Sequence, residues 1–106
     1  MIPLMQNKVF SLLGLAMRGH RVVSGELQTL EAIKKGTAAL VILAEDASEN
    51  TRKLFTDKCS FYEVDIVTYG TKEQLGRAIG KDERSSVGIC DEGLAKAVVD
   101  KMQTEQ

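Results

Sequence analysis

The chain has 106 residues, of which 43% are apolar and 27% charged, with nine Gly and a single Pro. That balance excludes a disordered or collagen-like chain, and the length suffices for one ordinary buried core. The formal net charge is −1, so the strongly basic character that many nucleic-acid binders show is absent.

Along the chain, the first helix is predicted over 4–17. Leu4, Val9, Leu12, Leu13 and Ala16 recur at three- and four-residue spacings, and Phe10 and Met17 widen the stripe. Gly19 is the expected C-terminal cap. A short extended segment, Arg21 to Ser24, leads into a second helix that Ser24 is expected to cap, with Leu27, Leu30, Ala32 and Ile33 as its buried face and Gly36 as its stop. Leu40 to Ala44 is a continuous branched run, which predicts a strand covered on both faces. A third helix is expected from Glu49 to Cys59, opened by capping-box spacing between Asp46 and Glu49. The alternation of Tyr62, Val64 and Ile66 with Glu63, Asp65 and Val67 predicts a half-buried strand. Thr71 and Gln74 open a fourth helix that runs through Leu75 and Ala78. Ser86 to Cys90 reads as a strand, and Asp91 caps a last helix with Leu94, Ala97, Val98 and Met102 inward. Helices alternating strictly with strands imply helices on both faces of one sheet. The expected architecture is a single three-layer α/β/α domain over residues 1–106, with a polar tail from Gln103 to Gln106.

Charge is distributed unevenly. Residues 1–36 carry five basic groups against two acidic ones, whereas residues 37–70 carry three against six. An anionic partner is therefore expected at the N-terminal third. Cys59 and Cys90 are 31 positions apart with no CxxC or Cys/His cluster, so no zinc site is expected. The two thiols read as small buried residues in a reducing compartment. Neither a signal-peptide layout nor an 18-residue apolar run is present, and a cytoplasmic location is the expectation.

Catalytic signals are lacking. His20 is the only His, and both Cys sit in apolar patterns, so the pattern does not support a Cys–His dyad. Glu45 and Asp46 follow a buried strand, where some α/β enzymes bind Mg²⁺, but a helix cap and a solvated carboxylate already explain them. No P-loop, GxGxxG, nucleophile elbow or HExxH occurs. The chain reads as no enzyme, with no cofactor and no metal.

The strongest binding signal is Ser24-Gly25-Glu26, where a short strand meets a helix. First-turn N–H groups there lack partners and carry partial positive charge, and Gly25 permits close approach of a ligand. Glu26 suits an exocyclic amino group, and Gln28 both donates and accepts, as a base edge requires. Arg18, His20 and Arg21 lie just upstream, with Lys34 and Lys35 further along. Charge and spacing alone still favour the plainer reading, a capped helix with a solvated face. Tyr69, in a loop before the fourth helix, either stacks on an unpaired base or packs on its neighbours.

Five segments together change that balance. They are LLGLAMRG (12–19), VVSGE (22–26), AIKKG (32–36), LVILAEDAS (40–48) and LGRAIG (75–80). In this order they resemble the kink-turn-binding ribosomal protein superfamily of the "L-seven-A-e" and "L-thirty-e" type, most closely its short bacterial members. The resemblance covers about residues 8–102. It implies an α/β/α sandwich around a mixed four-stranded sheet and a non-catalytic RNA-binding protein. The implied partner is a kink-turn, a bent duplex with a bulge beside sheared G·A pairs, in ribosomal RNA or an mRNA leader, with ribosomal association. By matching, the G·A-reading site falls on Gly25, Glu26, Leu27, Gln28 and Glu31. A basic residue late in that helix falls on Lys34 or Lys35, Arg18 joins them at the phosphates, and the bulge-clamping loop falls on Val67, Thr68 and Tyr69. Two positions depart from the family pattern. Leu27 stands where a polar residue is common, and Glu31 where Lys is usual. A Glu beside phosphate costs on the order of 1–3 kcal/mol, which leaves a protein-interaction module on the same fold as the alternative function.

Overall fold

The structure, a computed structural model, describes residues 7–104. Its elements are α1 (Lys8–Arg18), β1 (Val22–Ser24), α2 (Glu26–Lys35), β2 (Leu40–Leu43), α3 (Glu49–Tyr62), β3 (Asp65–Thr68), α4 (Lys72–Ala78), β4 (Ser86–Ile89) and α5 (Glu92–Thr104). The strands lie in the order β1-β4-β2-β3. Strand β4 is antiparallel to both its neighbours, and β2 and β3 are parallel. The sheet is therefore mixed, as expected, and its C-terminal ends of β1, β2 and β3 share one edge with the start of β4.

Strand β2 shows why the sandwich has three layers. Every residue of β2 is buried, and successive side chains point to opposite faces. Leu40 and Ile42 enter one core cluster with Val9, Leu13, Leu75, Ile89 and Val98 of the surrounding elements. Val41 and Leu43 enter the other, with Ile33, Phe55 and Cys59. Helices α1, α4 and α5 thus cover one face, and α2 and α3 the other.

Local chemistry sets the boundaries, and several differ from the expectations. Leu4 lies outside the described residues; α1 is capped by Asn7, whose side chain accepts from the Phe10 N–H at 2.9 Å. At its other end Gly19 is the C-cap, as expected, its N–H donating to the Leu15 carbonyl at 3.1 Å, and the next residue, His20, takes the left-handed conformation with φ 60°. Helix α2 is not capped by Ser24, which is the last residue of β1; Gly25 is the cap residue and supplies no side chain. Leu27, expected inward, is 83% exposed, and Thr29 takes the buried place on that turn. The reason is register: Thr29, Ala32 and Ile33 share the inward stripe, and Leu27 falls on the opposite side. Asp46 and Glu49 form no capping box. Ser48 caps α3 by accepting from the Thr51 N–H at 3.2 Å, while Asp46 accepts the Lys72 N–H at 2.8 Å and ties α4 to the end of β2. Helix α3 runs on to Tyr62 and stops at Glu63 in the left-handed region, so Tyr62 and Val64 lie outside β3. The Val64 N–H donating to the Cys59 carbonyl at 2.8 Å closes that turn. The Thr71–Gln74 capping box forms as expected, as does the Asp91 cap on the Leu94 N–H. Gln103 and Thr104, expected in a tail, complete α5.

Candidate nucleic-acid interface

The end of β1 and the start of α2 build the site. Gly25 has φ 87° and ψ 162°, a conformation that side-chain-bearing residues avoid. Its N–H donates to the Ser86 carbonyl at 3.1 Å, which holds the junction against β4. No side chain caps α2, so the first-turn N–H groups stay available to an external acceptor. A Cβ on Gly25 would meet nothing within 4 Å, so the approach is open.

A polar cleft of about 250 Å³ faces this junction, walled by Ser24, Glu26, Thr51 and the 83–86 segment. Arg84 is its fixed cation. Its Nε donates to Ser24 Oγ at 3.1 Å, and its Nη1 to the Asp82 and Glu83 carbonyls at 3.3 and 3.0 Å. These bonds fold the segment back on itself and hold the guanidinium at the mouth. Ser86, buried against the cleft, carries a hydroxyl with no partner among the described residues.

The sequence pattern did not single out Arg84 and Ser86. The available signal was the polar run 80–86, GKDERSS, between two buried elements. It becomes part of the site because β4 pairs with β1, a neighbourhood that strand order alone reveals.

The expected site residues are not all brought together. Gly25, Glu26 and Gln28 sit on the open start of α2, and Glu31 is a turn further along. Lys34 and Lys35 lie at the other end of α2, about 13 Å away at 1.5 Å per residue. Lys35 pairs with Glu31 at 3.8 Å on the exposed surface. Arg18 ends α1, ahead of β1, and so lies at the opposite end of that strand from Gly25. The expected clamp at Val67 to Tyr69 is mostly not a loop. Val67 and Thr68 belong to β3, and Val67 packs on the core. Tyr69 sets its ring edge-on to Phe10, 5.4 Å between centroids, and its hydroxyl accepts from Asn7 Nδ2 at 3.1 Å. Strand β3 is also three places from β1, or about 14 Å at the usual strand spacing. The segment placed beside Gly25 is 83–86 instead.

The thiols do not form a nucleophilic site. Burial pushes Cys59 up to about 11. Desolvation also raises Cys90, against a smaller lowering by the Thr37 hydroxyl. Both lie on the unreactive side of the range in which thiolates attack. Glu45 is exposed, and Asp46 is engaged with the Lys72 N–H. Among the described residues, no helix is long and apolar enough to cross a membrane.

Five helices around a mixed four-stranded sheet, with an uncapped helix start beside a polar cleft, define a class of small α/β/α ribosomal-protein-like domains. The chain belongs to the ribosomal protein L7Ae/L30e/S12e/Gadd45 family, which matches residues 7–99. It is 46% identical over 90 residues to the RNA-binding protein YlxQ of Bacillus subtilis (strain 168), covering 85% of this chain and 90% of that protein. A solved structure of a Bacillus halodurans protein of unknown function superposes with a TM-score of 0.88 at 39% identity, covering 92% and 99% of the two chains. The Giardia lamblia 15.5kD RNA binding protein shares the fold at a TM-score of 0.76 and 23% identity, over 95% and 86% of the chains.

Proposed function

We propose that this protein binds RNA non-catalytically, and that the RNA is a kink-turn or a closely related bent element. The observation that carries this reading is the uncapped start of α2 facing the Arg84–Ser86 cleft. Free N–H groups and an arginine form a donor set for base edges and phosphate oxygens. The similarity to YlxQ, named an RNA-binding protein, supports it.

In this reading Gly25 lets the RNA backbone approach, and Glu26 and Gln28 contact the G·A pairs. Arg84 stands at the phosphate beside the bulge, in the clamping place first assigned to Val67, Thr68 and Tyr69. Lys34, Lys35 and Arg18 neutralise phosphates of the flanking duplex rather than of the bend. The setting is a cytoplasmic ribonucleoprotein, with ribosomal RNA or an mRNA leader as the source of the element.

The test is a titration of a fluorescent kink-turn RNA at two salt concentrations, against the same RNA with its G·A pairs converted to Watson–Crick pairs. Tight binding that the control loses supports shape-specific recognition. Equal weak binding to both RNAs refutes the kink-turn assignment while leaving sequence-independent phosphate binding in place.

A further inference from the structure

A second concavity lies away from the α2 junction. A groove of about 490 Å³ runs between α5 and the starts of β2 and β3. Its floor is apolar, made by Ala39, Leu40, Val64, Ala95 and Val99. Glu63, Asp65, Glu92 and Asp100 stand around it, against the single cation Lys96. All four carboxylates are on exposed residues, and none is in an ion pair among the described residues. The groove lies at the side of the sheet where β3 is the edge strand.

Two further features adjoin it. The chain enters the groove wall at Glu63 directly from Phe61 and Tyr62, an edge-to-face aromatic pair 4.9 Å apart. Phe61 is 78% exposed and adds apolar surface next to the groove wall. The outer edge of β3 is also unsatisfied. The Tyr69 N–H donates to the Leu43 carbonyl of β2, so by two-residue alternation the Ile66 and Thr68 N–H groups point away from the sheet.

We propose that this groove is a docking site for a basic, extended segment of a protein partner. Charge complementarity selects the occupant. Four unpaired carboxylates on the rim call for arginine or lysine, and the apolar floor takes small or branched side chains. An extended segment alternates its side chains between two directions and so meets both demands at once. Four carboxylates against one lysine disfavour RNA phosphate at this surface. The site is independent of the α2 junction and stands whether or not that junction binds a kink-turn.

The probe is a capped peptide of alternating arginine and valine, titrated into the ¹⁵N-labelled full chain. A peptide of alternating glutamate and valine is the control. The expected result is amide shifts confined to 38–40, 61–68 and 92–100, with an affinity that falls as salt rises. Glu63→Gln with Asp100→Asn, both surface changes, is expected to weaken binding about tenfold. Phe61→Ser is expected to weaken it without altering its salt dependence. Shifts elsewhere, no shifts at millimolar peptide, equal binding of the acidic peptide or an indifferent double variant would each overturn the proposal. So would a concentration-dependent dimer, seen by sedimentation, that the double variant abolishes, since the occupant would then be a second copy of the chain.

Discussion

At Gly25 the backbone conformation and the binding geometry are the same fact. With φ 87° and ψ 162°, an alanine there strains the backbone by about 1–3 kcal/mol, although its methyl group has open space. Gly25→Ala is therefore expected to lower the urea midpoint and to weaken RNA binding together; an unchanged midpoint would show that the junction is not under this constraint. Gly76 works by contact instead. A Cβ on Gly76 would collide with the Asp82 carbonyl oxygen, so the turn that presents Arg84 needs a glycine beneath it. Cys59 gives a pH test of burial. Its thiol is held at about 11 in the fold, against 9.0 when unperturbed. The unfolded chain thus loses this proton first, and the stabilisation present below pH 9 is lost between pH 9 and 11. Unfolding free energies from urea titrations at pH 8 and pH 10 are expected to differ by up to about 1 kcal/mol more in the native chain than in Cys59→Ala. Equal differences in the two proteins would place the thiol in a more polar site than its burial implies.

Helix α2 carries the test of the family departures. Glu31→Lys removes an exposed pair with Lys35, so stability should move by less than about 0.5 kcal/mol. If Glu31 faces RNA phosphate, the same change should tighten kink-turn binding by about tenfold, and no gain would place Glu31 off the RNA surface. Gln28→Ala should weaken kink-turn binding with an unchanged urea midpoint; unchanged affinity would remove Gln28 from the contact. What was legible here follows periodicity and motif. The β2 run, the Thr71–Gln74 box, the Asp91 cap and the order of elements are all written locally, as are the five segments that resemble the family. Leu27 was misread because one apolar residue fits two helical stripes, and only packing against the sheet decided for Thr29. Ser24 looked like a cap because Ser usually is one; here its hydroxyl accepts from Arg84, 60 positions away. Arg84 and Ser86 were out of reach for the same reason. Their place beside Gly25 comes from β1 pairing with β4, a non-local pairing that no window of sequence contains.

On the scale of the molecule, the two candidate surfaces lie at opposite ends of the central strand. The α2 junction sits where β1 ends and β4 begins, and the acidic groove sits where β2 and β3 begin. Leu43 is level with Ser86, and Leu40 with Asp65, so the two levels are separated by the length of β2, about 10 Å. One surface offers free N–H groups and an arginine beside Glu26 and Glu83; the other offers four carboxylates, Lys96 and an apolar floor. Sites this far apart, with no shared side chain, should respond independently to substitution. Glu63→Gln with Asp100→Asn is expected to reduce peptide binding while leaving kink-turn affinity within about twofold, since its neutralised charges lie roughly a Debye length from the RNA surface at physiological salt. Gln28→Ala is expected to do the reverse. Separate titrations of RNA and peptide against both variants measure the four combinations. Loss of both ligands in either variant would mean that the surfaces overlap or that the fold has changed, and the unfolding midpoint distinguishes those two cases. If each variant loses only its own ligand, the chain can hold RNA at one end of its sheet and a basic protein segment at the other, which is the arrangement an adaptor within a ribonucleoprotein requires.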